Sequence, residues 1–150
     1  MKKEVVLSLR GTQTYEGQEP DVIELVTEGT MEFYDGGWNI AYEESDLTGL
    51  AGVTTTFRVE PDRVILERTG NLRSRMVFQK DVPHDSLYQM SFGTMMITVC
   101  AKYLFFDIVS DGGVVDLLYT IEIENKGVGA KEVLIPHVPG RRTHKVKVTI

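Results

Sequence analysis

The sequence predicts an all-β protein, a single antiparallel barrel of about eight to ten strands with little or no helix. Three observations predict it. Apolar and polar residues alternate at period two in segment after segment of the 150 residues, as half-buried strands require. Tight turn chemistry separates the segments at regular spacing, as in Asp35-Gly36-Gly37, Glu60-Pro61-Asp62 and Asp111-Gly112-Gly113. No window of helical length places apolar residues at i, i+3, i+4 and i+7 between capping signals. Short strands joined by tight turns make a barrel or a sandwich, and closing the sheet leaves no exposed edge.

In chain order, Lys3 to Gln13 sets Val5, Leu7 and Leu9 against Val6, Ser8 and Arg10, which is a first strand. Tyr15 to Asp21 reads as a polar loop. From Val22 to Phe33 the alternation is cleanest: Glu24, Glu28 and Glu32 take the water face, and Ile23, Leu25, Thr27, Gly29, Met31 and Phe33 the inner one. Gly29 on that inner face marks a sharp bend, as at a barrel corner. After the Asp35 turn, Trp38, Ile40 and Tyr42 form an inward stripe.

Glu43 to Gly52 has no period and contains two glycines, so it reads as a wide loop at one barrel mouth, suited to a lid. Val53, Thr55, Phe57 and Val59 then face inward, Arg63 to Thr69 returns, and Gly70-Asn71 turns into a strand whose Ser74, Met76 and Phe78 share a face. Asp81 to Asp85 reads as a loop before a hairpin of Leu87 to Phe92 and Thr94 to Ala101 about Gly93. The consecutive apolar residues Tyr103 to Phe106 break the alternation and predict a bulge or corner. Val115, Leu117, Tyr119, Ile121 and Ile123 stripe the next strand. A segment rich in Gly and Pro follows Asn125, and Val146, Val148 and Ile150 mark a last strand.

The length suits one domain, residues 1–150, with one sizeable core. The single cysteine, Cys100, makes no internal disulfide and supplies no ligand set, so a reducing compartment is expected. The opening residues lack the h-region of a signal peptide, and no run reaches the length of a membrane span. The expectation is a cytoplasmic protein with no membrane partner. Net charge is −6, but unevenly spread: residues 1–125 carry 10 basic and 21 acidic groups, and residues 126–150 carry 6 and 1. This basic C-terminal extension fits a closing strand beside acidic neighbours better than a nucleic-acid arm, because the rest of the domain is acidic.

The ordered pieces VVLSLRGTQ (Val5 to Gln13), ELVTEGT (Glu24 to Thr30), YEESDLTGLAGVTTTFRVE (Tyr42 to Glu60), Arg68-Thr69-Gly70, Met76-Val77-Phe78 and YTIEI (Tyr119 to Ile123) resemble the YwiB-like bacterial proteins. The resemblance covers about residues 1–125 and implies a calycin-like, lipocalin-like β-barrel in the cytoplasm. That family has no accepted catalytic residues to carry over. The 126–150 extension departs from its shorter C-terminal end.

Among candidate site residues Arg68 stands first, since it shares its alternation face with Val64 and Leu66 and so points inward. A buried guanidinium needs acceptors. Carbonyls or a carboxylate such as Glu43 or Glu44 are one source; the other is an anionic ligand, with Trp38, Tyr42, Phe57, Phe78 and Tyr119 lining the cavity. Glu43, Glu44 and Asp46 form the densest carboxylate group, read as solvated surface, with a lid or cation loop as the functional alternative. His84, His137 and His144 lie far apart without ligand spacing, and no metal or cofactor is expected. The expected role is non-catalytic binding of a small anionic or apolar ligand. The alternatives are a filled barrel acting through a homodimer or protein partner, and an enzyme of unknown type.

Overall fold

Period-two alternation becomes ten strands in a computed structural model that describes residues 2–14, 19–91, 93–123 and 141–150. They are β1 (Lys2–Thr14), β2 (Asp21–Tyr34), β3 (Gly37–Glu43), β4 (Val53–Glu60), β5 (Arg63–Gly70), β6 (Leu72–Phe78), β7 (Pro83–Met90), β8 (Gly93–Val109), β9 (Gly112–Ile123) and β10 (Arg141–Thr149). Each strand pairs antiparallel with its neighbours in sequence, and β10 returns to β1 to close the barrel. The basic end of the chain is therefore the closing strand, with Lys147 in register with Asp116 of β9 and with Arg10 of β1. Most of the polar loop after Thr14, and the Gly- and Pro-rich segment with its apolar Val133 to Val138, lie outside the described residues.

The turns form where the sequence places them. Asp35 and Gly36 take φ of 51° and 77°, the pair of positive angles that a primed hairpin needs. Arg58 braces this hairpin from β4: its Nη1 donates to the Tyr34 carbonyl at 2.6 Å and its Nη2 to the Asp35 carbonyl at 2.9 Å. Gly29 sits where β2 and β3 approach each other so closely that a Cβ would collide with the Ala41 carbonyl and stand 2.8 Å from Leu7 Cδ1.

In β8 the register slips between Ala101 and Tyr103. Before the slip Met95, Ile97, Val99 and Ala101 face the core; after it Leu104, Phe106 and Ile108 do, leaving Tyr103 and Phe105 outside. The strand thus changes facing without being cut.

Three expectations need correction. The strand expected from Leu87 begins at Pro83, because His84 and Asp85 pair with Val99 and Thr98 of β8 although they show no apolar alternation. Proline is tolerated at that first position. Ile23 is on the predicted face but 53% exposed, since β2 overhangs β3, which pairs with it only from Gly29 onward. Phe33 is 55% exposed at the hairpin end and lies edge-on to Trp38, ring centroids 5.0 Å apart.

The interior is layered. Trp38, Val59, Val64 and Phe78 form one row of register partners across β3 to β6; Ile40, Phe57, Leu66 and Met76 form the next. These rows belong to one continuous hydrophobic core. The third row is different.

Candidate functional site

Two residues farther along each strand, the inward row becomes polar. Tyr42 pairs with Thr55, Thr55 with Arg68, Arg68 with Ser74 and Ser74 with Tyr88, five polar side chains on adjacent strands β3 to β7. Gly29 precedes them on β2 and Met95 follows on β8. Thr55, Ser74 and Tyr42 are buried, while Arg68 and Tyr88 are half-buried.

Glu44, one step past the end of β3, folds back over this row instead of facing water and is only 8% exposed. Its carboxylate accepts from Thr55 Oγ1 at 2.5 Å and from Thr48 Oγ1 at 2.8 Å. Hydroxyl donors in this number are what a buried carboxylate needs. The 44–52 loop is a compact set of turns tied by Ser45, whose carbonyl accepts from the amides of Thr48 and Leu50. Leu47 stands at its tip, 81% exposed.

Arg68 contrasts with Arg58. The guanidinium of Arg58 is bonded on every side. Arg68 Nε is buried and has no hydrogen-bond partner, and among the described residues no ion pair reaches Arg68. Neither Glu43 nor Glu44 plays the partner's part. Ser74 Oγ, beside it in register, is likewise buried and unpartnered.

The charge on Arg68 is felt across the barrel. Burial, joined by the negative charge of Glu44, raises the Tyr42 hydroxyl well above the ordinary phenol value, with Arg68 opposing. Burial pushes Tyr119 up to about 12, again with Arg68 pulling down and Tyr88 adding to the rise. In both cases loss of solvent outweighs the nearby cation, so both phenols remain neutral donors at neutral pH. Tyr119 packs against Phe78, centroids 4.4 Å apart, and stacks on His144 at 5.3 Å.

Arg68 and Tyr42 thus share one row of the interior, Phe57 lies in the next, and Phe78 stands two rows away in the row of Trp38, about 13 Å along the strands at roughly 3.3 Å per residue. Tyr119 packs against Phe78. Glu43, Glu44 and Asp46 do not converge: Glu43 accepts from Thr54 Oγ1 at 2.9 Å, Glu44 turns inward and Asp46 is exposed. Among the described residues no group of three His, Cys, Asp or Glu is placed to hold a metal ion. His84 shares its side of the sheet with Val99 and Cys100 faces the other, so they make no nucleophile and base pair.

Thr55 and Ser74 are polar residues of this row that the sequence did not single out as site residues, although the alternation that turns Arg68 inward does the same for both. Glu44 was expected as solvated surface, as part of a lid or cation loop, or as a partner of Arg68; it is instead buried and bonded to Thr55 and Thr48, because it follows the last alternating residue of β3 and the loop returns it to the interior.

Comparison with known proteins follows the architecture. Residues 7–135 match the family described as "Domain of unknown function (DUF1934)". No curated protein matches the chain. Among solved structures, the crystal structure of the ywiB protein from Bacillus subtilis is similar, with 20% identity and a TM-score of 0.79 over 99% of this chain and 90% of that one. At that identity the likeness concerns the fold. The chain belongs to the DUF1934 family, as a YwiB-like protein built on a closed ten-stranded antiparallel barrel.

Proposed function

We propose that this is a non-catalytic cytoplasmic binding protein that takes a small molecule into its barrel, with Arg68 receiving the ligand's acidic group. The observation that carries this reading is the buried, unpartnered Arg68 Nε at the polar end of an otherwise apolar interior. A donor buried without an acceptor costs about 1–3 kcal/mol, and an anionic group placed against it removes that cost. The apolar rows beyond it, with Phe57 and Phe78, suit a ligand carrying a hydrocarbon portion. A lone free thiol, Cys100, agrees with a reducing compartment.

Native mass spectrometry of gently purified protein tests this, backed by titration of fatty acids and acidic metabolites into wild type and Arg68→Leu. The expected result is an adduct that disappears on denaturation and that Arg68→Leu does not retain. Equal binding by the two proteins would sink the proposal.

A second reading has its own support. The side chains of Phe57, Met76 and Phe78 are almost wholly buried, while Tyr103 and Phe105 lie on the outer face of β8, each nearly half exposed. A filled barrel would then work through its outer surface, against a second copy or another protein. Sedimentation showing a dimer at micromolar concentration, with no small-molecule adduct, favours this alternative.

A further inference from the structure

The backbone ladder of the barrel wall is interrupted between β6 and β7. Their ladder holds three rungs, Leu72–Met90, Arg73–Gln89 and Ser74–Tyr88, and the next contact of this kind is the Gln79–Val82 bridge that closes the hairpin. Between these points Arg75 to Phe78 stays paired with β5, and His84 to Leu87 stays paired with β8. Both lips of the interruption are thus held by their outer neighbours, β5 and β8. One side-chain bond spans it, from Ser86 Oγ to the carbonyl of Arg75.

A groove of about 400 Å³ runs over this interruption, and Arg68, Ser74, Arg75 and Ser86 are among its walls. Its lining has three arginines, Arg68, Arg73 and Arg75, against two carboxylates, Glu67 and Asp85. Asp85 is already engaged by Thr98 Oγ1 at 2.7 Å. The last rung before the interruption is the one that carries Ser74. Its hydroxyl and Arg68 Nε are neighbours across β5 and β6, both buried, both without a partner and not bonded to each other.

We infer that the ligand reaches the barrel sideways through the β6–β7 interruption and that its oxyanion, carboxylate or phosphate, is held jointly by Arg68 Nε–H and Ser74 Oγ–H. This rests on the binding reading above and adds to it a second contact residue, a chemical class and a route. Two unpartnered donors side by side on adjacent strands offer one oxyanion two bonds, and the guanidinium makes its bond charge-assisted, which a neutral hydroxyl ligand would not match. Arg73 and Arg75 along the groove favour approach by anions. Ser86 is a latch on the route and makes no contact with the bound group.

The test follows the Arg68 Nε–H signal and the backbone amides by NMR in the full chain, with decanoate, inorganic phosphate and decanol as probes. The expected result is a shift of Arg68 Nε–H and of the amides of Arg75 to Phe78 and His84 to Leu87 with decanoate, and none with decanol. Ser74→Ala weakens decanoate by about tenfold, as loss of one bond to a charged group implies. Ser86→Ala speeds association and dissociation together and leaves the affinity unchanged. The same shifts with phosphate alone also support the inference and assign the site to free oxyanions without a tail.

Decanoate binding that Arg68→Leu abolishes, but that ignores Ser74→Ala and leaves both lips silent, overturns the inference while the binding reading stands. Equal binding of decanoate and decanol, indifferent to Arg68→Leu, overturns both. No shift with any probe up to millimolar concentration does the same.

Discussion

Thr55 Oγ1 on β4 donates to Glu44 Oε2 at 2.5 Å and so holds a carboxylate inside the mouth of the barrel. Thr55 is itself fully buried. Replacing it with valine keeps the shape and removes the donor, leaving the carboxylate short of one partner. Thr55→Val is expected to lose about 1–3 kcal/mol in urea unfolding, and Thr55→Ser to lose less than half of that.

Gly29 and Gly11 make a paired test of the close approach of β2 and β3. A Cβ at Gly29 meets the Ala41 carbonyl and Leu7 Cδ1, whereas one at Gly11 meets nothing within 4 Å. Gly29→Ala is expected to destabilise by about 1–3 kcal/mol, because β2 and β3 must separate to admit it. Gly11→Ala should stay within about 0.5 kcal/mol. Thermal melts of the two variants side by side decide the matter.

Phe78 and Phe105 separate core from surface. Phe78 has no exposed area and packs against Tyr119 with its ring tilted by 44°, while Phe105 faces outward. Phe78→Ala should cost about 3–5 kcal/mol through the cavity it leaves. Phe105→Ser should change stability by no more than about 0.5 kcal/mol. A large loss at Phe105 would mean that a second chain covers it, which a concentration-dependent melting temperature would reveal.

Stability should fall at alkaline pH. Tyr42 and Tyr119 both hold their protons more tightly when folded, chiefly because burial disfavours phenolate. Below the ordinary tyrosine value of 10.0 their contribution is complete; above it the unfolded chain releases protons that the folded chain retains, Tyr119 up to about 12. For Tyr119 this amounts to on the order of 2–3 kcal/mol lost as pH rises from about 10 to 12. Tyr119→Phe is expected to flatten that part of the curve in denaturant titrations at a series of pH values. An unchanged slope contradicts the assignment.

Much of this was legible in the letters. Period-two alternation determined that the chain is all-β, which residues of β3 to β6 face inward, and that Arg68 is among them, because successive side chains of a strand must point to opposite faces. The turn residues determined most of the hairpins, since Asp35-Gly36 satisfies backbone angles that few other pairs adopt at low cost. The apolar run from Tyr103 to Phe106 told of the bulge in β8.

Only the tertiary structure decided which inward residues stand side by side. Register is a relation between strands, set by turn geometry, by the slip at Ala101 and by closure of β10 on β1, and alternation within one strand carries no trace of it. That is why Ser74 came to lie beside Arg68, why Glu44 turned in over Thr55, and why Pro83 to Asp85 became strand under the pull of β8. It is also why Trp38, inward like Arg68, ended two rows away from it.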